Sequence, residues 1–346
     1  MNASEKPGVV RWGVLGAADI AVRRLIPAMH EARGNEVVAL ASRSHDRARA
    51  LVSELNIPRA YGSYAELLAD PEVDAVYVPL PNTMHAEWTI RSAEAGKHVL
   101  CEKPMATTVA ECDAMIAACR AAGVKFMEAF MYRFHPQHAR VRALVASGAI
   151  GEPTMIRSSF CVRMQRPPED IRYSAALGGG ALFDVGVYAL DAARWLAATA
   201  QSEATSASLG ISVDPVGITG QTALNAAGVD ENAAAALAFP SGLLAAVTCS
   251  FQAAAGGTYE IIGPQGKITV HHAFTPPPDT APRLTLTTPE GATDETFAPN
   301  QNQYTMMLEA VAQSILNNTP TPLADAAGRG NIAIIESLLS PASRTA

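Results

Sequence analysis

Residues 10–21 of the 346-residue chain read VRWGVLGAADIA. An apolar, β-rich run is followed by a degenerate form of the Gly-x-Gly-x-x-Gly turn, with alanines in the second and third glycine positions. Gly16 permits a tight turn, and the backbone N–H groups of the next helix suit a pyrophosphate if the methyl group of Ala18 is tolerated. The alternative is an ordinary strand-to-helix turn. We predict dinucleotide contacts at Gly16, Ala17, Ala18, Asp19 and Ile20.

This first strand and helix open a regular alternation that continues to about residue 130. Short β-rich runs lie at 10–15, 36–42, 75–78, 98–101 and 125–128. Helical patterns, several of them ended by glycine, lie at 20–33, 46–55, 85–95 and 108–123. Such alternation is typical of a parallel, doubly wound α/β sheet. We therefore predict an N-terminal dinucleotide-binding domain at residues 8–130.

Strand-like runs dominate the rest of the chain. They lie at 154–162, 234–239, 243–251, 258–262, 267–272 and 283–287, and turn signals such as Pro240-Ser241-Gly242 separate them. Closely spaced strands of this kind indicate an antiparallel sheet. Helices are predicted at 136–147, after Gly178-Gly179-Gly180, at 303–316 and at 331–339. We predict a second, α/β domain at 131–346 for substrate binding and oligomerisation, whose last helices could pack back on the first domain.

Composition limits the classes of partner. The 26 Lys and Arg residues against 33 Asp and Glu give a net charge of −7, which argues against a nucleic acid or an acidic membrane as the partner. The five cysteines include no Cys-x-x-Cys pair, so we expect reduced thiols. No apolar run approaches the roughly 20 residues of a membrane span, and the N-terminus lacks the apolar core of a signal peptide. We expect a cytoplasmic protein with a small-molecule substrate.

The end of the second strand indicates which dinucleotide is bound. It reads Ala41-Ser42-Arg43-Ser44, with no acid to accept the ribose 2′-hydroxyl that an NAD enzyme binds. Arg43, with Ser42 and Arg47, offers donors to a 2′-phosphate, so the sequence favours NADP(H). The alternative is a solvated surface arginine.

Two further blocks carry candidate chemistry. Glu102-Lys103-Pro104 follows the strand at 98–101, where parallel sheets bind ligands, and places Lys103 as a cation and hydrogen-bond donor for substrate. After Gly178-Gly179-Gly180, Asp184 and Tyr188 are four residues apart and should share a helix face. The alternatives are a core-packed tyrosine and a helix-terminus charge.

Together with VPLPNTMH at 78–85 and EAFMYRFHP at 128–136, these blocks resemble the Gfo/Idh/MocA oxidoreductase family over nearly the whole chain. Within it, the chain is most similar to a branch that includes glucose–fructose oxidoreductase, NADP-dependent xylose dehydrogenase, dimeric dihydrodiol dehydrogenase and nucleotide-sugar 3-ketoreductases. The resemblance implies a Rossmann domain and a C-terminal domain whose open, mostly antiparallel sheet has helices on one face. The other face commonly pairs with a second subunit, so a homodimer or homotetramer is expected.

The resemblance also implies hydride transfer between nicotinamide and a sugar or sugar-like carbinol or carbonyl carbon. By position, Lys103 binds the substrate oxygen and orients the ribose, Asp184 binds a sugar hydroxyl, and Tyr188 gives or takes the proton. The domain boundary near residue 130 predicts a cleft in which Lys103 meets Asp184 and Tyr188. A neighbouring ammonium lowers the pKa of a phenol, so Lys103 and Tyr188 would form a proton-relay pair. Whether Tyr188 or Lys103 transfers the proton stays open.

The same resemblance assigns the remaining site residues. Arg172 is a candidate for substrate, and the residues expected near the cofactor are Pro79, Leu80, Asn82, His85, Glu102 and Arg133. For His85 the alternative is a helix residue without a ligand, and for Arg133 a structural ion pair. His135 and His138 lack a third ligand at metal-binding spacing, so no metal is expected. The competing functions are a trans-dihydrodiol dehydrogenase, with a more apolar pocket, and a dinucleotide-binding regulator without catalysis.

Overall fold

The structure is a computed structural model that describes residues 8–201, 210, 212–277, 279–341 and 344–345. The chain divides into two compact units, each built around a sheet of its own. The first contains the described residues of Met1–Ala106, Ala110–Met131 and Asn302–Ala326. The second contains those of Thr107–Val109, Tyr132–Gln301 and Ala327–Ala346.

Regular elements cover most of the described residues. The strands are β1 Val10–Leu15, β2 Asn35–Ala41, β3 Arg59–Tyr61, β4 Ala75–Val78, β5 His98–Cys101, β6 Phe126–Glu128, β7 Met155–Cys161, β8 Gly217–Leu224, β9 Asp230–Ala238, β10 Leu244–Ser250, β11 Gly256–Gly263, β12 Gly266–His271, β13 Arg283–Thr288, β14 Gly291–Thr296 and β15 Arg344–Thr345. The α-helices are α1 Ile26–Glu31, α2 His45–Glu54, α3 Tyr64–Leu68, α4 His85–Glu94, α5 Val109–Ala121, α6 Pro136–Ala146, α7 Val187–Gln201, α8 Gln303–Leu316 and α9 Arg329–Leu338.

The described part of the first unit is built on a six-stranded parallel sheet in the order β3-β2-β1-β4-β5-β6. Its central strands β1 and β4 are almost wholly buried, as parallel strands with helices on both faces must be. The doubly wound fold expected from the sequence is therefore confirmed. The strand order reverses between β1 and β4, and such sheets bind ligands at the carboxyl ends of the strands beside this point.

The helix α8, one of the last helices that the sequence expected could pack back on the first domain, belongs to the first unit. The sequence assigned residues 131–346 to the second domain, whereas Asn302–Ala326 belongs to the first unit. There α8 packs on α1, β1 and β2 and buries Met307 and Leu308, and Arg33 forms a 3.1 Å ion pair with Glu309. The apolar face of α8 thus packs beside α1, and the two helices cover one face of the parallel sheet.

The described part of the second unit has a nine-stranded sheet in the order β14-β13-β12-β11-β7-β10-β9-β8-β15. Only the pairs β7–β10 and β8–β15 are parallel, so the expected mostly antiparallel sheet is confirmed. The sequence did not reveal β8 because glycine is rare in strands. A Cβ atom at Gly220 would lie 2.6 Å from the carbonyl oxygen of Ala234, so the close approach of β9 accounts for that glycine.

The helix α7 packs on β7, β10 and β11 of this sheet. In β10, residues 245, 247 and 249 are buried while 244, 246 and 248 are exposed, so one face of the strand is covered and the other is open. Among the described residues, one helical segment, Ala175–Ala200, is long and apolar enough to cross a membrane. Its apolar window is 72% buried inside the protein, which is what a core helix requires.

Candidate active site

The predicted dinucleotide turn closes tightly after β1. Gly16 has φ of +113° and donates its N–H to the Ala41 carbonyl at 2.9 Å. A Cβ atom at this position would lie 2.9 Å from Cδ2 of Leu80, so a side chain here would collide as well as strain the backbone. The structure therefore brings together Gly16 and Leu80, two of the predicted cofactor residues. The next turn, Ala21–Leu25, is π-helical, with the Ile26 N–H bonded to the Ala21 carbonyl.

Basic side chains flank this turn. Nη2 of Arg47 donates to the carbonyl of Ala17 at 3.1 Å, while Ser44 caps α2 by accepting the Arg47 N–H. Arg43 is exposed, and its charge acts on Tyr64: burial raises the pKa of this tyrosine, and the guanidinium opposes the rise. The Tyr64 hydroxyl lies 3.7 Å from the Cβ position of Gly16. Ser42 is buried, and its hydroxyl accepts the Ser44 N–H at 3.3 Å.

Lys103 follows the carboxyl end of β5 and is partly exposed. Beneath it, the buried Glu102 carboxylate accepts the Tyr77 hydroxyl at 2.6 Å and the Lys103 N–H at 3.2 Å. Burial, reinforced by Glu102, raises the pKa of Tyr77 well above its ordinary value, so the phenol stays a donor. This geometry favours Glu102 as a fixed support for the Lys103 backbone over the predicted direct contact with cofactor.

His85 is 0% exposed, and both ring nitrogens lie 2.8 Å from backbone carbonyl oxygens. Nδ1 contacts Pro104 and Nε2 contacts Leu80, so the ring links the segments after β4 and β5. Burial lowers the pKa of His85. The geometry favours the alternative in which His85 has no ligand. Asn82, three residues earlier, is partly exposed, so its predicted cofactor role stays a prediction.

In the second unit, the glycine-rich turn packs against protein. Gly178 and Gly180 have positive φ, and a Cβ atom at Gly179 would lie 2.5 Å from the Arg172 carbonyl oxygen. Gly180 donates its N–H to that same carbonyl at 3.0 Å. These glycines let the segment at residues 171–172 lie against the start of the helix.

That segment places Arg172 on Asp184. Nε of Arg172 donates to Oδ2 of Asp184 at 2.9 Å, and Nη1 lies 3.2 Å from Oδ1 of Asp170. Burial opposes the charge of Arg172, but the two carboxylates outweigh it and raise the pKa of the guanidinium. The structure thus joins two residues that the sequence assigned separately to substrate.

Asp184 and Tyr188 lie where a π-helical turn passes into an α-helix, and their sharing of one helix face stays a prediction. Asp184 lies in the π-helical turn Leu182–Gly186, where the Val187 N–H reaches back to the Leu182 carbonyl. Helix α7 begins only after this wider turn, so a π-helical turn, and not a regular α-helical one, leads from Asp184 towards Tyr188. The sequence carries no signal for the extra residue, because π-helical turns depend on tertiary packing and are common at functional sites.

Tyr188 is 6% exposed and lies among aromatic rings. Its ring centroid is 5.5 Å from Phe160, 5.7 Å from Phe274 and 5.9 Å from Tyr132. Core packing therefore fixes the ring of Tyr188, as expected for the alternative of a core-packed tyrosine. The proton-transfer role of its hydroxyl remains a prediction.

Arg133 forms a buried ion pair. The side chains of Arg133 and Asp191 are 3% and 1% exposed, and Nη1 lies 3.1 Å from Oδ2. The Tyr132 hydroxyl donates to the same carboxylate, and the guanidinium lies 5.1 Å from the Trp195 ring centroid. This geometry favours the structural ion pair over contact with nicotinamide. Sequence reasoning missed Asp191, which carries no local motif.

The described residues contain no group of three or more His, Cys, Asp or Glu side chains that could hold a metal ion. His138 contacts the Tyr259 hydroxyl through Nδ1 at 2.6 Å and the Ala273 carbonyl through Nε2 at 3.0 Å. Burial lowers the pKa of His135 to about 4. Both histidines are therefore accounted for by packing in the core.

Comparison with known proteins gives consistent relationships. Residues 10–130 match the oxidoreductase family model with an NAD-binding Rossmann fold, and residues 138–269 match the Gfo/Idh/MocA C-terminal domain model. An uncharacterized oxidoreductase of Rhizobium meliloti is 40% identical, over 97% of this chain and 98% of its own. A D-xylose 1-dehydrogenase (NADP(+)) of Haloferax volcanii is also 40% identical, over 91% of each chain.

A solved structure is similar along its whole length. It is a 3-ketoreductase from Actinomadura kijaniata in complex with NADP and TDP-benzene, with a TM-score of 0.85 and 33% identity over 97% of this chain and 98% of that one. Matches of this extent cover both units, including the parallel sheet and the mixed sheet. The chain therefore belongs to the Gfo/Idh/MocA family of oxidoreductases.

Proposed function

We propose that this oxidoreductase transfers a hydride between NADP(H) and a sugar or sugar-like carbinol or carbonyl carbon. The observation that carries the proposal is the position of Gly16 and Lys103, which follow the carboxyl ends of β1 and β5 in one parallel sheet. This edge is where such sheets bind nucleotides and substrates. The similarity to an NADP-dependent xylose dehydrogenase and to a 3-ketoreductase supports both the cofactor and the sugar class.

The residues of the first unit fit NADP(H). The Gly16 turn has no room for a side chain, the exposed Arg43 and Arg47 flank it, and the strand β2 ends without an acid. When bound, the nicotinamide supplies or accepts the hydride. Arg43 and Arg47, with Ser42, would hold the 2′-phosphate, and the helix start after Gly16 would hold the pyrophosphate.

Four side chains divide the work of binding the substrate and moving the proton. Lys103 donates a hydrogen bond to the reacting oxygen and orients the ribose. Asp184, whose Oδ2 already accepts from Nε of Arg172, accepts a hydrogen bond from a substrate hydroxyl, and Arg172 offers a donor beside it. Tyr188 transfers the proton, because its ring is fixed by packing and its hydroxyl is the reactive end. An adjacent carboxylate and guanidinium suit a hydroxyl-rich sugar better than an apolar dihydrodiol.

A cofactor absorbance screen at 340 nm tests the function. Wild-type protein is offered NADP⁺ with aldoses, inositols and dihydrodiols, and NADPH with free and nucleotide-linked keto sugars. We expect turnover with a sugar in one of the two arms and a loss of about 10²- to 10⁴-fold in kcat for Tyr188→Phe. Turnover of dihydrodiols alone would establish the competing dehydrogenase, and NADPH binding without any turnover would establish the regulator.

Arg43→Ala should weaken NADP(H) binding without weakening NAD(H) binding. A charge-assisted hydrogen bond to the 2′-phosphate contributes about 1.5–3 kcal/mol, so we expect the Kd of NADPH to rise about 10- to 100-fold. Fluorescence titration with both cofactors measures this. Arg49→Ala removes an exposed arginine of α2 as the matched control and should leave both affinities unchanged. Equal affinities of the Arg43 variant and wild type for NADPH would remove Arg43 from the cofactor site.

We further propose a cytoplasmic homodimer or homotetramer formed through the sheet of the second unit. The open face of β10, with exposed residues at 244, 246 and 248, supports a second copy as the covering surface. Sedimentation velocity checks this assembly, and a monomer at micromolar concentration would contradict it.

A further inference from the structure

Asp230 is a buried carboxylate with no part in the proposed reaction. It is the first residue of β9 and is 2% exposed. Its Oδ2 atom accepts the Leu182 N–H at 2.7 Å, and the Ala181 N–H also bonds to the carboxylate. These N–H groups belong to the first turn of the helical segment that carries Asp184 and Tyr188. A negative charge there also interacts favourably with the helix dipole.

The glycines around Asp184 make room for this carboxylate. A Cβ atom at Gly180 would lie 2.0 Å from Oδ1 of Asp230, so any other residue at position 180 would displace the acid. A Cβ atom at Gly186 would lie 2.8 Å from Sγ of Cys249 on β10. The first turn is therefore pressed against both β9 and β10, and glycines on either side of Asp184 make this contact possible.

The charge of Asp230 is costly where it lies. Burial raises its pKa to about 6, although three backbone N–H groups act in the opposite direction. The titratable group that faces it from β10 is the Cys249 thiol, whose pKa burial raises well above its ordinary value, so this thiol stays neutral. From β8, Asp230 pairs with Leu224, which has no titratable group. The helix turn faces Asp230 with backbone N–H groups. Of Asp230, Cys249, Leu224 and the backbone N–H groups, only Asp230 therefore changes its charge near pH 6.

We propose that Asp230 is a positioning residue, whose ionised carboxylate holds the first turn of the catalytic helix and so sets the placement of Asp184 and Tyr188. This inference rests on the proposed function, because the rate effect requires that these two residues act on substrate. A buried charge that opposes stability is retained where it serves activity. Displacements of about 1 Å in a catalytic group lower rates by about 10²-fold, so the hold of one carboxylate is kinetically significant.

The test compares kcat and KM between pH 5 and pH 8.5 for wild type, Asp230→Asn and Glu231→Gln. Asn keeps the size of the protonated acid, so we expect kcat at pH 8 to fall about 10- to 100-fold with the KM of NADP(H) unchanged. The wild-type kcat should decline below a pH of about 6, and the Asn variant should lose this inflection. Glu231, the next residue of β9, is only partly buried, and its variant should keep the wild-type profile.

One activity-independent measurement completes the test. Hydrogen exchange at the Ala181 and Leu182 amides should be about tenfold faster in Asp230→Asn than in wild type or Glu231→Gln. If wild type turns over no sugar, the proposed function fails, while the exchange rates still test the hold of Asp230. Unchanged exchange, or an unchanged kcat profile in an active enzyme, would overturn the inference.

Discussion

Lys103→Met is expected to lower kcat by about 10²- to 10⁴-fold while leaving the Kd of NADPH within a few-fold of wild type. Met keeps most of the unbranched, apolar stem of Lys, so the variant removes the ammonium group and little packing. Glu102 and Tyr77 still fix the backbone beneath the residue, which keeps the segment after β5 in place. Steady-state kinetics with the sugar found by the screen, together with NADPH fluorescence titration, measure the two quantities.

Lys125→Met is the matched control for this prediction. Lys125 immediately precedes β6 and therefore lies at the amino edge of the parallel sheet, opposite the carboxyl edge that carries Lys103. Its variant should keep wild-type kcat and cofactor affinity. Undiminished turnover by Lys103→Met would remove Lys103 from the reaction. Loss of NADPH binding without loss of kcat would assign it to the cofactor instead.

Asp191→Ala is expected to destabilise the second unit by about 3–5 kcal/mol, because it removes the carboxylate that lies 3.1 Å from the buried Arg133 guanidinium. The same variant removes an acceptor from the Tyr132 hydroxyl and from Nδ2 of Asn331, which lies 3.4 Å from Oδ1 of Asp191. Urea unfolding followed by tryptophan fluorescence measures the loss, since Trp195 lies against the Arg133 guanidinium.

The double variant Arg133→Met with Asp191→Leu separates the ion pair from the space it fills. Replacement of both charges by apolar groups of similar volume should recover most of the lost stability, whereas Arg133→Met alone leaves Asp191 unpaired and should not. Neither Arg133 variant should change the Kd of NADPH, because the guanidinium lies in the core. A loss below about 1 kcal/mol in Asp191→Ala, or weaker NADPH binding by Arg133→Met, would return Arg133 to the cofactor site.

The sequence predicts the elements whose pattern is local. Strands at 10–15, 75–78 and 98–101 and the helix at 303–316 have the bounds observed, because apolar periodicity, capping residues and glycine stops act within a few residues. Capping is also local in α3, where the Ser63 hydroxyl accepts the Glu66 N–H at 3.2 Å. The parallel sheet follows from the alternation of strands and helices, and the mostly antiparallel one from the close spacing of its strands, although β8 was missed.

The roles of buried polar residues do not follow from the sequence. His85 and Arg133 occur in family motifs, yet both side chains bond to protein groups distant in the chain, namely Pro104 and Asp191. Asp230 bonds to Leu182 across 48 residues, and no local pattern marks such a pair. The sequence does not show whether a polar side chain faces a ligand or a buried carbonyl group. Only the tertiary contacts of the side chain show which of the two it binds.

The placement of α8 in the first unit has a consequence for the order of events during synthesis. Residues 8–131 contain all six strands of the parallel sheet, but the surface of α1 and β2 that α8 covers stays bare until residue 316 has left the ribosome. The nascent first unit therefore lacks this helix while strands β7 to β14 of the mixed sheet are being made. A fragment ended at Met131 would expose this apolar surface, so we expect it to aggregate, and a fragment that also carries α8 to stay in solution.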